Sequence, residues 1–173
     1  RGGYEAAEAP VPEPGPRDLL IRVKAAALNP VDAKMRGRIP SEAPPRPLGF
    51  DAFGEVQSKG GEVAGFAPGD RVWYAGAADR AGSFATHQLV DHRIVSKAPA
   101  RLDAADAAAL PLTAITAWEA LFDRLGYAAL SETPQPQRLL VINGAGGVGS
   151  VALQLARLSG IRATATASRA ESR

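Results

Sequence analysis

An apolar segment, a glycine-rich turn and a helical segment follow one another near the end of this chain, and this order constrains the fold most strongly. Residues 138–143 read RLLVIN, which is typical of a parallel strand covered on both faces. The segment 148–159 predicts a helix that ends at Gly160, and the β-prone IRATATA comes next. The chain therefore predicts a β-α-β unit of an α/β domain.

The glycines of this turn have the spacing G-x-G-x-x-G, at Gly144, Gly146 and Gly149, with Gly147 as an additional glycine. We assign a tight turn to Gly144, close approach of a pyrophosphate to Gly146, and close packing of helix on strand to Gly149. The helix start at Gly147 and Val148 would offer unpaired N–H groups to phosphates. The motif in this context predicts dinucleotide binding, whereas the alternative is a tight turn without a ligand.

The residues after the second predicted strand indicate which dinucleotide is bound. An NAD site usually has Asp or Glu there, which holds the ribose 2′-hydroxyl. This chain has Ser168 and Arg169 instead. A hydroxyl and a guanidinium suit a 2′-phosphate, so we expect NADPH. The alternative for Arg169 is a solvated side chain near the chain end.

The first hundred residues consist of short strand-like segments separated by Pro and Gly. In DLLIRVKAAAL, apolar residues alternate with Arg22 and Lys24, which predicts a half-buried strand. Pro68 and Gly69 suit the two central positions of a type II turn, with a strand over 71–75 after it. GSFATHQLV and HRIVSKAP supply two more β runs. This pattern predicts a small barrel or a rolled sheet.

Helical signals replace the strand signals near Leu102. Asp103 has the residue type of a helix N-cap, and Asp106 falls in the first turn. A second helix restarts after Pro111 and stops at Gly126. The polar segment SETPQPQ then links this region to the glycine-rich part.

Composition excludes several classes of protein. The net charge of the 173 residues is +2, and basic residues form no run, which argues against nucleic acid as a partner. The chain has no Cys, which excludes disulfides and Cys-based metal sites and is compatible with a reducing cytoplasm. No apolar run reaches the roughly 18 residues that a membrane span needs.

Five segments together resemble the medium-chain dehydrogenase/reductase superfamily. They are NPVD at 29–32, LGFDAFGEV at 48–56, GDRVWYAG at 69–76, LPLTAITAWEALFDRLG at 110–126 and NGAGGVG at 143–149. Within that superfamily the chain resembles the quinone oxidoreductases, in particular the branch called zinc-type alcohol dehydrogenase-like proteins.

The resemblance implies three parts. A GroES-like β-barrel domain that forms most of the substrate site would occupy residues 1–110. Connecting helices and a linker would occupy residues 111–134. Residues 135–173 would be the first, incomplete βαβ unit of a Rossmann domain that binds NADPH. Because the chain stops soon after the second strand, we expect a fragment that is inactive by itself and poorly soluble.

The same resemblance argues against a metal. Zinc-bearing dehydrogenases use a Cys near the position of Asn29 or Pro30 and a His after the glycine that is here Gly49, where this chain has Phe50. His87 and His92, five residues apart on strand-like sequence, would point to opposite faces and could not chelate together. We expect both imidazoles to be solvated or locally hydrogen-bonded.

The resemblance implies hydride transfer from NADPH to a quinone or an α,β-unsaturated carbonyl. It places Asn29 and Lys34 near the nicotinamide end of the cleft, where the Lys34 cation could stabilise an enolate oxygen. It places Thr116 beside the nicotinamide and its ribose, and makes Tyr74 a candidate for the cleft wall. Each residue also has a simpler interpretation: a turn at Asn29, a surface position for Lys34, and a bond within its own helix for Thr116.

Two alternatives stay open at this point. One is a non-catalytic NADPH-binding sensor or structural protein on the same fold, and the other is a zinc-type alcohol dehydrogenase. In every case we expect a small-molecule partner, neither nucleic acid nor membrane, a cytoplasmic location, and a homodimeric parent protein.

Overall fold

The computed structural model describes residues 5–40, 43–44 and 46–169. The chain divides into two compact units: unit 1 is Arg1–Ala109 and unit 2 is Leu110–Arg173. In the described part of the chain, no helix has the length and apolar character needed to cross a membrane.

The described residues of unit 1 form an antiparallel sheet of five strands. Their bounds are β1 Asp18–Ala27, β2 Asp51–Lys59, β3 Arg71–Ala75, β4 His87–Asp91 and β5 Ser96–Lys97. The strands lie in the order β4-β1-β2-β3-β5. Because β4 and β5 form two separate edges, the sheet of the described residues is open, so the expected β-rich unit is present without closing into a barrel.

The core of unit 1 lies against this sheet. Its buried members are Leu19, Ile21, Ala52, Val56, Val63, Val72, Tyr74, Val90 and Val95. The predicted alternation in β1 is confirmed from Ile21 onward, whereas Leu19, Leu20 and Ile21 are all buried. The pairing with β2 shifts register between Leu20 and Ile21, and such an irregularity changes which face a side chain occupies.

The turns of unit 1 confirm one predicted feature and correct another. Gly69 has φ 90°, and the Asp70 N–H donates to the Ala67 carbonyl at 3.1 Å, which agrees with the predicted turn before β3. The expected strand in HRIVSKAP is reduced to β5, because His92–Ile94 forms a 3-10 turn. The Asp91 carboxylate accepts the Arg93 N–H at 3.0 Å and so supports a turn in place of a strand.

Two short helices accompany this sheet in the part of unit 1 that the structure describes. Helix α1 covers Pro30–Arg36, and helix α2 covers Ala104–Ala108. The predicted N-cap of α2 is confirmed, since the Asp103 side chain accepts the Asp106 N–H at 2.8 Å.

Up to residue 169, where the described structure ends, unit 2 contains two helices and two parallel strands. Helix α3 covers Pro111–Trp118 and continues as a π-helical segment over Glu119–Arg124. Strand β6 (Arg138–Val141), helix α4 (Gly147–Leu158) and strand β7 (Arg162–Ala165) form the predicted β-α-β unit. Gly126 and Gly160 have φ of 71° and 68°, in agreement with their predicted roles as helix stops.

The core of unit 2 is small. Ala117, Leu121, Leu139, Ala152, Ala156 and Ile161 are its buried members. Leu139 packs among these residues, whereas Leu140 is 63% and Ile142 is 70% exposed. RLLVIN contains the predicted parallel strand, and in the described structure the buried cluster covers only its Leu139 face.

Candidate functional site

The glycine-rich turn of unit 2 connects β6 to α4. Asn143 has φ 60°, in the left-handed region that residues other than glycine rarely adopt. Gly146 is the N-cap of α4 and provides no side-chain cap, and the first turn contains no acidic residue. The Ser150 N–H bonds to the Gly146 carbonyl at 2.8 Å. The amides before it in the first turn lack intrahelical acceptors and can receive an anion.

Two glycines allow the helix and the turn to pack closely. A Cβ on Gly149 would collide with the carbonyl oxygen of Asn143 and would lie 2.8 Å from the Gly144 Cα. A Cβ on Gly144 would lie 2.5 Å from the Ala165 Cβ. Backbone atoms that cannot swing away surround Gly149, so a larger residue there must displace α4 from the turn.

Thr166 joins the turn to the end of β7. Its N–H donates to the Val141 carbonyl at 3.0 Å, and its carbonyl accepts the Gly144 N–H at 2.9 Å. Its hydroxyl oxygen accepts the Asn143 N–H at 2.9 Å. Sequence reasoning singled out neither Thr166 nor Asn143. The available signal was a short polar side chain at the end of a strand beside a glycine turn.

The other predicted cofactor residues of unit 2 are exposed. Ser168 and Arg169 lie beyond the end of β7, and within the described part of the chain neither side chain has a hydrogen bond or an ion pair. The Thr116 hydroxyl on α3 donates to the Leu112 carbonyl at 2.7 Å, which is its simpler structural role. Val148 is partly exposed in the first turn of α4.

This arrangement fits the phosphates of a dinucleotide. An uncapped helix start without acidic residues offers amide donors, and the nearby Arg169 and Ser168 can pair with a further phosphate. A carboxylate in their place would repel that phosphate.

The second polar site lies at the start of α1 in unit 1. The Asn29 N–H donates to Asp32 Oδ2 at 2.7 Å, and Asn29 Nδ2 donates to Asp51 Oδ2 at 2.8 Å. Both carboxylate residues are buried, Asp32 at 1% and Asp51 at 0% exposure. Asn29 is half-buried, and its side-chain amide is oriented by the buried Asp51 carboxylate.

Lys34 and Tyr74 occupy different environments. Lys34 is exposed on α1. Tyr74 is 2% exposed, belongs to the core of unit 1, and donates its hydroxyl hydrogen to Gln88 Oε1 at 2.8 Å. Burial raises the pKa of the Tyr74 phenol. Tyr74 is therefore a core residue, and its expected position on the wall of a cleft is corrected.

A small cavity adjoins α1. Its lining includes Asp32, Met35, Arg46, Phe50 and Arg80, and its volume of about 10 Å³ has room for one water molecule. Asp32 Oδ1 is buried and has no partner within the described residues. The cavity is too small for a nicotinamide or a quinone.

The donor set in the described ranges does not fit zinc. No three His, Cys, Asp or Glu side chains among those residues converge in a way that could hold a metal ion. Thr86 Oγ1 lies 3.2 Å from His87 Nδ1, and His92 Nδ1 lies 3.0 Å from the Arg17 carbonyl, so both imidazoles are locally hydrogen-bonded as expected. His92 lies in the 3-10 turn, not on a strand.

Comparison with known proteins assigns the chain to a family. Residues 15–100 match the family described as the alcohol dehydrogenase GroES-like domain. Over 168 residues the chain is 45% identical to a zinc-type alcohol dehydrogenase-like protein of Staphylococcus aureus, covering 97% of this chain and 50% of that protein. The chain belongs to the medium-chain dehydrogenase/reductase superfamily. It is thus a member of an oxidoreductase family, and it spans about half the length of the curated relatives it matches.

Solved structures of this superfamily share the fold. A crystal structure of an alcohol dehydrogenase superfamily protein from Novosphingobium aromaticivorans matches with a TM-score of 0.87 and 35% identity, over 98% of this chain and 51% of that one. The Escherichia coli quinone oxidoreductase complexed with NADPH matches with a TM-score of 0.78 and 28% identity, over 96% and 49% respectively.

Proposed function

We propose that this protein contributes to an NADPH-dependent reductase that transfers hydride to a quinone or an α,β-unsaturated carbonyl without zinc. The observation that carries the proposal is the uncapped start of α4 at the glycine turn, together with Ser168 and Arg169 after β7. The similarity to the Escherichia coli quinone oxidoreductase complexed with NADPH supports it.

In this proposal the chain has three functional parts. Residues 1–110 form most of the substrate site, and residues 135–173 are the first βαβ unit of the NADPH-binding domain. Residues 111–134 are the helices and linker that connect these two parts. The amides of Gly147, Val148 and Gly149 bind the pyrophosphate, and Gly146, which follows the tight turn at Gly144, lets it approach closely.

Arg169 and Ser168 select NADPH over NADH. The guanidinium forms charge-assisted hydrogen bonds with the 2′-phosphate, and the Ser168 hydroxyl adds a further donor. NADH lacks that phosphate, so its binding gains nothing from the Arg169 charge.

The nicotinamide, when bound, supplies the hydride, and the chain binds and orients the reactants. Hydride addition to an enone or a quinone places negative charge on the carbonyl oxygen. Asn29 can donate to that oxygen, since Nδ2 has a second hydrogen and Asp51 fixes the orientation of the amide. The exposed Lys34 ammonium adds positive charge near α1, and Thr116 lies beside the nicotinamide ribose. Tyr74 acts through the core that supports β3.

The decisive measurement is oxidation of NADPH by the complete gene product with quinones, enones and aldehydes as acceptors. We expect turnover with quinones or enones and a preference for NADPH over NADH. Arg169→Ala should weaken NADPH binding about tenfold and leave NADH binding unchanged. Arg162→Ala removes an equal charge from β7 and serves as the matched control. A preference of the unmodified protein for NADH would refute the role of Arg169.

A non-catalytic NADPH-binding protein is the second candidate, and it requires tight NADPH binding without oxidation by any acceptor. A zinc-dependent alcohol dehydrogenase ranks third: a relative with 45% identity carries the zinc-type name, but the described donors do not fit the metal. It requires activation by added zinc and inhibition by chelators, with an alcohol as hydride donor. We propose a small-molecule substrate and a homodimer; sedimentation of the complete gene product tests the latter.

A further inference from the structure

Thr166 lies where the two halves of the proposed cofactor site meet. It follows β7 directly and precedes Ser168 and Arg169 by two and three positions. Its backbone bonds to Val141 and Gly144, and its hydroxyl oxygen accepts the Asn143 N–H. The backbone bonds would form with any residue other than proline at this position, whereas the hydroxyl bond requires this type of side chain.

The hydroxyl bond is made to the residue with the least favourable backbone conformation in the turn. Asn143 has φ 60°, and asparagine tolerates this region better than most residues but still at a cost. The Asn143 carbonyl in turn accepts the Gly146 N–H at 3.0 Å and lies directly against Gly149. A rotation of Asn143 would therefore move the carbonyl against which the first turn of α4 is packed.

We propose that Thr166 is a positioning residue for the dinucleotide: its hydroxyl holds Asn143 in the left-handed conformation and thereby fixes the phosphate-binding amides relative to Ser168 and Arg169. This inference rests on the cofactor function proposed above. Thr166 acts through Asn143 and is not itself a ligand of the 2′-phosphate. Its loss therefore weakens NADPH and NADH binding alike, because both dinucleotides use the same pyrophosphate amides.

The test measures the Kd of the complete gene product for NADPH and for NADH by titration calorimetry. Thr166→Val keeps the shape of the side chain and removes the acceptor, so we expect both Kd values to rise roughly three- to tenfold, the range of one hydrogen bond. Thr166→Ser restores the hydroxyl and should return both values to within about twofold. Thr164→Val is the matched control, because Thr164 is an exposed residue of β7 whose side chain has no described hydrogen bond.

A second variant tests whether Thr166 acts on the phosphate-binding amides through the conformation of Asn143. Glycine adopts positive φ without a Cβ penalty, so Asn143→Gly in the Thr166→Val background should recover part of the lost affinity. Amide hydrogen exchange at Asn143 should be faster in Thr166→Val than in Thr164→Val. A rise in both Kd values with no change in that exchange would refute the claim that Thr166 acts through Asn143.

The outcomes separate this inference from the proposed function. Unmodified protein that binds neither dinucleotide overturns the proposed function and this inference with it. Unmodified protein that binds, together with a Thr166→Val variant of unchanged affinity, overturns this inference alone. A loss confined to NADPH would make Thr166 a direct ligand of the 2′-phosphate and would also overturn it. If Thr166→Val does not fold, failure of Thr166→Ser to match the unmodified Kd values decides against the proposal.

Discussion

The two units hold their polar sites by different means. In unit 1, buried side chains do so: Asp32 and Asp51 fix Asn29, and Gln88 accepts from Tyr74. In unit 2, the turn is held by backbone bonds and by glycines, with Thr166 as the main side-chain contribution. The difference teaches which substitutions each site tolerates. The stability of unit 1 should fall when one of these buried polar side chains is removed. The stability of unit 2 should fall when a carbon atom is added to a glycine of the turn.

The two tryptophans of the chain allow this comparison to be measured unit by unit. Trp73 lies in unit 1 and Trp118 in unit 2. In a Trp73→Phe background the fluorescence reports unit 2, and in a Trp118→Phe background it reports unit 1. The predictions below use urea unfolding of this chain, followed by these signals.

The largest effect is expected from Gly149→Ala. The added carbon would collide with the Asn143 carbonyl, so α4 must move away from the turn, at a cost of about 3 kcal/mol in the unfolding free energy of unit 2. Gly61→Ala is the control in unit 1, since a Cβ there meets no atom within 4 Å. It should change stability by about 0.5 kcal/mol or less. Equal effects of the two substitutions would contradict the close packing at Gly149.

Asn29→Ala tests the side-chain network of unit 1. It removes the Nδ2 donor to the buried Asp51 carboxylate, and loss of a hydrogen bond to a charged group costs about 2 kcal/mol. The Trp73 signal should shift to lower urea concentration. Leu28→Ala, at the exposed neighbouring position, should leave it nearly unchanged. An unchanged midpoint for Asn29→Ala would show that the amide contributes nothing to holding α1.

A pair of tyrosines gives a direct comparison of the two units. Tyr74→Phe leaves the buried Gln88 Oε1 without its donor, and we expect a loss of about 1.5 kcal/mol in unit 1. Tyr127 donates to the Arg138 carbonyl at 3.1 Å in an exposed position of unit 2, where water can replace it. Tyr127→Phe should therefore cost about 0.5 kcal/mol or less. The reverse order would refute the burial argument.

The smallest effect concerns pH. The Arg80 guanidinium bonds to the Asp18 carboxylate at 2.8 and 3.0 Å and lowers the pKa of Asp18 below its usual 3.8. A lowered folded-state pKa contributes stability above that usual value, and the contribution is lost as the pH falls below about 4 through the folded-state pKa. Because Arg80 is partly exposed, we expect about 1 kcal/mol.

Unfolding of unit 1 at pH 6 and pH 3 checks this contribution. Asp18→Asn should reduce the loss of unfolding free energy of unit 1 between pH 6 and pH 3. Glu132→Gln, at an exposed position of unit 2, should not alter the unfolding that the Trp118 signal reports. A pH dependence of unit 1 that is identical with and without the Asp18 carboxylate would contradict the assignment.

Local chemistry was readable from the sequence where a few neighbouring residues decide the outcome. The Asp103 cap, the Pro68-Gly69 turn and the helix stops at Gly126 and Gly160 are of this kind. The Glu119–Arg124 segment was not readable in this way. It adopts π-helical bonding, in which the Leu125 N–H reaches the Ala120 carbonyl at 3.1 Å, although its sequence pattern is that of an ordinary helix.

The sites divide in the same way. The glycine spacing predicted the tight turn between β6 and α4, because each glycine meets a local steric demand. Tyr74 could not be assigned correctly, since an aromatic residue on a strand that alternates in burial belongs to a cleft or to a core according to what covers it. The bond from Asn29 to Asp51 could not be predicted either, because the two residues are 22 positions apart and meet only in the folded chain.

By itself, the sequence determined the β-α-β unit, its glycine turn and the family resemblance, since these depend on residue types at short and fixed spacings. The tertiary structure alone decided that the described sheet of unit 1 is open, that Tyr74 is buried, and that the Thr166 hydroxyl accepts the Asn143 N–H. The physical reason is the length over which the forces act: turn and cap chemistry is settled within a few residues. Burial and hydrogen-bond partners depend on segments brought together only when the chain folds.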